Sequence, residues 1–447
     1  MTRLALAAAV LASLASPALA QQWVASWTGS SHGPYPVGNS TAQPEMKFAF
    51  PSPAAGARDQ TFRLIVRPDV WGPQARIRLS NAYGAKPVTF DGAFVGLQES
   101  GSALVPGTNA AVTFDGQKSV TVAPGQNAVS DPVALAFAKP SDPMLRGRKL
   151  AVSFHVAGES GPMTWHAKAL QTSYLSPPGS GAKGAEDGEA SFPFSTASWY
   201  FLDSVDMATT GTKAIVAFGD SITDGTGTTI NGDDRWPDVL SRRLHAAYGD
   251  AFAVVNEGIG GNRVVGPDDY ATKPIPGGPG ALTRIDRDII SLPGVAAVIW
   301  LEGINDFGAA DTPAETVIAG YKQGVAHIRQ KIPGVKIFAA TLTSALHSTP
   351  THGRPEVEAK RKALNELTAH LERLRRLRRF RRGDVRRRHR RDQGDVPTQL
   401  LDRRPRRQAP SQPRRLCGDG GRDRSEDDHG EVTPLPSSRP RPEGPRG

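Results

Sequence analysis

Residues 213–225 read Lys-Ala-Ile-Val-Ala-Phe-Gly-Asp-Ser-Ile-Thr-Asp-Gly. Ala214 to Phe218 are apolar without a break, and Gly219-Asp220-Ser221 then brings glycine and polarity together. A short apolar run that stops at a turn is the signature of a strand buried on both faces, as in a parallel sheet covered by helices. The downstream rhythm agrees. Trp236 to Tyr248 reads as a helix, Ala253 to Val255 as a strand, and Ala281 to Ser291 as a helix. Val295 to Leu301 is a third strand, and Ala314 to Lys331 a long helix ended by Pro333-Gly334. Val335 to Leu342 is a fourth strand, and the chain is helical again from Glu356. Such alternation predicts an α/β fold, a three-layer α/β/α sandwich around a parallel sheet. Folds of this kind place their sites beyond the carboxyl ends of the strands.

Three polar, glycine-rich turns follow three of these strands. They are Gly219 to Gly225, Asn256 to Asn262, and Gly303-Ile304-Asn305-Asp306. In a parallel sheet they converge on one rim. A serine just after a strand can present its hydroxyl to a cleft as a nucleophile. Its own N–H, a second N–H from the unobstructed Gly260-Gly261 turn, and the Asn305 side-chain amide are donors suited to a developing oxyanion. Any one of these turns alone is a plain turn or helix cap. The Gly258 region lacks the G-x-G-x-x-G spacing of a dinucleotide site. Three in order, each after an apolar strand, point to acyl transfer.

With these motifs the chain resembles the SGNH (GDSL-like) hydrolases over about residues 213–366. Gly219 to Ser221 look like the family's first block, Gly261 like the second-block glycine, and Gly303 to Asp306 like the third block. The resemblance implies a flavodoxin-like sandwich and a serine esterase. Ser221 would be the nucleophile, with Asp220 supporting it, and Ser221, Gly261 and Asn305 would form the oxyanion hole. The implied substrates are small-molecule or polysaccharide esters. No cofactor is implied, and no metal-ligand cluster is read in the sequence.

Upstream, from Gln22 to about Asp206, short runs such as Phe62 to Val66, Ala75 to Leu79 and Leu150 to Val156 are rich in branched and aromatic residues and separated by Gly, Pro and Asn. They predict a β-sandwich or jelly roll, and the region looks like the extra domain of some large secreted bacterial members of the family. Trp23, Trp27, Trp71, Trp165 and Trp199 lie here, read either as core or as platforms for a sugar. Before it, Arg3, the apolar Leu4 to Ala15 and the Ala18-Leu19-Ala20 site resemble a secretory signal peptide. A secreted or periplasmic protein is therefore expected. The apolar run is too short to span a bilayer, and the single Cys417 allows no intrachain disulfide. The expected organisation is 1–20 signal, 22–206 β-rich region, 211–370 hydrolase region and 371–447 tail.

The net charge of +10 suggests nucleic-acid binding until it is located. Residues 371–447 hold 23 Arg, no Lys and 12 acidic residues, leaving 1–370 near neutrality. No nucleic-acid partner is expected of the folded part. The family's last block, Asp-x-x-His, supplies the general base and its orienting carboxylate. Its nearest counterpart is Glu426-Asp427-Asp428-His429, without the following Pro and within a tail of disordered composition. His347 and His352 fall in the loop after the fourth strand, as substrate contacts or plain surface residues.

Arginine-only basicity is what GC-rich DNA yields when read out of frame. Shifted one nucleotide forward, Arg406 to Gly420 is compatible with GDKLHPNRAGYAAMA, which contains Asp-x-x-His-Pro. Phe380 to His389 is compatible with FDGVTFDAVT, a fifth strand. A frameshift between about Leu367 and Arg379 is therefore expected, and with it an incomplete hydrolase region and impaired catalysis in the chain as printed. The competing readings are a genuine Arg-rich tail, a non-catalytic remnant, and a carbohydrate-binding protein.

Overall fold

The computed structural model describes residues 22–39, 46–139 and 141–368, all within one compact unit, Met1–Arg382. The signal-like segment, the shifted segments and Glu426 to His429 lie outside the described residues.

The N-terminal part is built from antiparallel strands. One sheet pairs β1 (Gln22–Thr28) with β8 (Leu202–Thr209), and β8 with β3 (Gln74–Ser80). The other centres on β2 (Arg58–Val66), β5 (Leu150–Glu159) and β4 (Val88–Ser100), with β7 (Ser173–Leu175) beside β2. A short ribbon strand, β6 (Trp165–His166), precedes β7. Alternate residues of the two sheets meet in one apolar cluster that includes Phe62, Leu64, Ile77, Phe90, Phe154 and Met207. Trp27, Trp71, Trp165 and Trp199 are buried in it, and Trp23 is half-buried under the Arg76 guanidinium. The four buried tryptophans hold the core.

From residue 213 the chain alternates. Four strands lie parallel in the order β10–β9–β11–β12: β9 (Lys213–Gly219), β10 (Phe252–Gly258), β11 (Val295–Leu301) and β12 (Lys336–Ala339). The connecting helices are α1 (Ser221–Asp224), α2 (Trp236–Tyr248), α3 (Ala281–Ile285), α4 (Ile304–Gly308) and α5 (Ala314–Lys331). Residues 355–368 are helical as well. The expected helix Ala281 to Ser291 is α-helical only to Ile285 and then widens into a π-helical turn, Asp286–Ile290. The fourth strand is shorter than expected.

Period-two alternation sorts the strand residues by face. Val216, Phe218, Val255, Val298 and Trp300 cluster with Ile285 of α3 and Tyr321 and Ile328 of α5. Ile215, Val254 and Ala297 cluster instead with Leu240 and Leu244 of α2. The register then positions the site. Gly219 stands opposite Gly258 of β10 and opposite Leu301 of β11, so three strands end on one row. β1 is shared: Trp27 belongs to the antiparallel core, Val24 and Ala25 to the parallel one.

Candidate active site

Ser221 opens α1 directly above that row. Asp220 is its N-cap, with Oδ1 accepting from the Ile222 N–H at 2.9 Å. The β9 end must be glycine for want of space, because a Cβ on Gly219 would run into the Leu301 carbonyl and stand 2.6 Å from Thr223 Oγ1. Ser221 is half-buried. Its hydroxyl and its N–H have no hydrogen-bond partner among the described residues.

The second turn brings Gly261 to the same rim. Its φ of +87° suits glycine. The Asn262 N–H closes the turn onto the Ile259 carbonyl at 3.0 Å, while the Gly261 N–H bonds no described residue. Asn305, buried in α4, reaches across from the third turn. One of its Nδ2 hydrogens donates to the Asn262 carbonyl at 2.9 Å, which leaves the other free. Its Oδ1 lies 3.2 Å from His352 Nε2. Burial and the neighbouring Arg354 lower the His352 pKa, so the ring is neutral and donates to this oxygen. His352 thus holds the Asn305 amide in one orientation, a role the sequence does not suggest. His347 is exposed.

The carboxylates beneath the rim act as scaffolding. Asp306 accepts from the Val264 and Val265 N–H groups at 2.8 and 3.0 Å and so fixes the chain after Gly261. Burial lifts its pKa to about 6 against those two bonds. Burial, reinforced by Asp306 and Asp224, lifts Asp220 to about 7. Burial lifts Glu302 to about 8, and its Oε2 accepts from Trp300 Nε1 at 2.7 Å.

Arg284 of α3 ties these pieces together from below. Fully buried, it donates to the Gly219 carbonyl (2.9 Å), the Glu257 carbonyl (2.8 Å), Asn262 Oδ1 (2.9 Å) and Asp288 Oδ2 (2.8 Å). Its guanidinium also lies 4.0 Å over the Phe218 ring. The ends of β9 and β10 and the turn that carries Gly261 are thus held by one planar cation. The sequence carries a signal for this: Arg284 and Asp288 stand four residues apart on the face that also holds Ile285 and Ile289, where charge survives burial only if paired.

The structure brings Ser221, Asp220, Gly261 and Asn305 to one rim. It brings no described histidine within hydrogen-bonding distance of the Ser221 hydroxyl. Among the described residues, no group of three or more His, Cys, Asp or Glu is placed to hold a metal ion. No described helix is long and apolar enough to cross a membrane.

Residues 217–402 match the family model of the GDSL-like lipase/acylhydrolase family. The chain carries a GDSL-like lipase/acylhydrolase domain. At the level of the family, that segment is of the lipase/acylhydrolase type. The match runs past the described residues and stops before Glu426 to His429. No curated protein matches the sequence. Among solved structures, a carbohydrate acetylesterase from Sinorhizobium meliloti shares 19% identity, with 37% of this chain and 81% of that chain covered at a TM-score of 0.29. An aryl esterase of M. smegmatis shares 20%, covering 36% and 81%, at 0.29. An SGNH-hydrolase family esterase shares 19%, covering 36% and 72%, at 0.27. Likeness this distant says nothing of the substrate of the GDSL-like domain described here.

Proposed function

We propose that this protein is an exported serine esterase that cleaves carboxylic esters through an acyl-enzyme on Ser221. The observation that carries the reading is the common rim: a serine hydroxyl, two backbone N–H groups and one Asn305 hydrogen, all without a partner among the described residues, at the ends of three strands in register. Ser221 Oγ attacks the ester carbonyl and the alcohol departs, leaving an ester on Ser221. The N–H groups of Ser221 and Gly261 and the Asn305 amide bind the oxyanion in both half-reactions. Water then releases the acid. Asp220 supports the serine by capping α1. The substrate is a small-molecule or polysaccharide ester, and the complete domain is read as a three-layer α/β/α sandwich.

The base that takes the Ser221 proton belongs to the displaced Asp-x-x-His block. We read Arg406 to Gly420 as that block translated out of frame, so the printed chain is an impaired enzyme. Loss of the triad histidine leaves only about 10³–10⁴-fold over water from the oxyanion hole and binding. Resequencing the DNA tests this, and codons at 406–420 that cannot yield GDKLHPNRAGYAAMA reject it. The frame-corrected protein is expected to hydrolyse p-nitrophenyl acetate and to react with a fluorophosphonate, and Ser221→Ala to abolish both. Undiminished turnover by the Ala variant removes Ser221 from the mechanism. A frame-corrected protein that no fluorophosphonate labels favours the second reading, a non-catalytic remnant, which the partnerless Ser221 hydroxyl also fits.

A further inference from the structure

The N-terminal region reaches the nucleophile. His166, in β6, is buried, and its Nε2 lies 3.1 Å from Oδ1 of Asp224, the last residue of α1. Its Nδ1 lies 3.0 Å from the Ser30 carbonyl. The ring thus bridges the Ser30 carbonyl and the Asp224 carboxylate, one through each nitrogen. Burial works against the Asp224 carboxylate, but His166, Lys168 and Arg235 together hold its pKa below the ordinary value. His32, whose ring centroid is 5.5 Å from that of His166, is pushed down to about 3 by burial and by His166, and stays neutral. Trp199 closes the remaining side at 5.6 Å.

Two residues on, Lys168 is also buried. Its Nζ donates to Thr226 Oγ1 at 2.6 Å, in the turn that leaves α1. The same Nζ stands 3.0 Å from where a Cβ on Gly260 would be, against the peptide that carries the Gly261 N–H. The contact continues along the loop between β6 and β7. Arg235 donates to the Ala169 carbonyl, the Asn231 N–H to the Leu170 carbonyl at 2.8 Å, and the Thr172 N–H to Asn231 Oδ1 at 2.7 Å.

We propose that segment 166–172 of the N-terminal region is a structural half of the active site, in which His166 and Lys168 are positioning residues for the Ser221 turn and the Gly260-Gly261 turn. His166 anchors the carboxyl end of α1 through Asp224. Lys168 bridges the exit of that turn to the back of the oxyanion turn. The antiparallel region is then no appended binding module, because the hydrolase region lacks a wall without it. The functional part of this inference rests on the esterase reading of Ser221; the geometric part does not.

The test uses the full chain with His166→Ala, His166→Gln and Lys168→Met. Gln keeps an N–H donor for Asp224. Amide hydrogen exchange is followed in peptides covering 219–228 and 256–264, with 295–301 as the core control. The expected result is exchange about ten-fold faster at 219–228 in the Ala and Met variants, with the control unchanged and His166→Gln close to the unsubstituted chain. Lys168→Met also speeds exchange at 256–264. The proposal is overturned if both turns exchange alike in all variants, or if His166→Gln opens them as far as His166→Ala. Fluorophosphonate labelling of the frame-corrected chain, with Ser221→Ala as the blank, is expected to slow in the same order. If nothing labels the unsubstituted frame-corrected chain, the esterase reading fails alone, and the exchange results still decide the positioning roles.

Discussion

Asn305 shows how little freedom the rim leaves a functional side chain. One of its hydrogens goes to the Asn262 carbonyl, and His352 fixes its oxygen, so one N–H has a single direction left in which to point. In the frame-corrected enzyme Asn305→Ala is expected to lower kcat by about 10²–10³, the effect of losing one oxyanion donor. The decrease should appear in kcat rather than KM for p-nitrophenyl acetate, because the bond strengthens as the oxyanion forms. An unchanged kcat places the oxyanion elsewhere. That Ser221, Gly261 and Asn305 converge at strand ends was legible in the sequence, since chemistry restricts the type of such residues and their place after a strand. The residues that hold them were not. Asp224, Asn262, His352 and Lys168 act through contacts between positions far apart in the chain, and no local spacing marks those.

At the scale of elements, α3 carries the largest debt to burial. Arg284 and Asp288 are 0% and 2% exposed at their side chains, and Arg287 holds the second Asp288 oxygen at 2.5 Å while donating to the Tyr83 hydroxyl. Removing one partner of a buried pair leaves an uncompensated charge or open carbonyls and costs about 3–5 kcal/mol. Arg284→Met is expected to fall in that range by denaturant unfolding and to slow Ser221 labelling as the ends of β9 and β10 separate. A loss under 1 kcal/mol, the worth of an exposed pair, contradicts the clamp. Most elements were legible because apolar periodicity sets them: α2, β11 and α5 have the boundaries that their sequence pattern predicts. The π-helical turn after Ile285 was not: the Arg284–Asp288 spacing marks a pair, but the Tyr83 hydroxyl that Arg287 meets lies 204 residues away in the chain.

For the whole molecule, the buried carboxyls set a pH dependence of stability. Asp220 titrates near 7 and Glu302 near 8 in the fold, raised by burial, against about 4 in an unfolded chain. Between those values the folded state keeps protons that the unfolded state has released. The contribution of each group is complete below about pH 4 and is lost as pH rises through its folded value. Asp224, shifted the other way, acts only as pH falls below the ordinary carboxylate range. Thermal melting is expected to shift downward between about pH 5 and about pH 9, and Asp220→Asn to flatten the lower part of that decline. A melting temperature that climbs across this range contradicts the buried-acid reading.

β1 gives the molecule a property that neither half has by itself. A single strand supplies Trp27 to one core and Val24 and Ala25 to the other, and its Ala25 N–H bonds the Pro293 carbonyl at 3.0 Å. The earliest described segment of the chain therefore waits for one of the later loops before its contacts are complete. Folding cannot finish vectorially, one half and then the other, as the chain emerges. The two cores share this strand, so a substitution that loosens β1 in one is felt in the other.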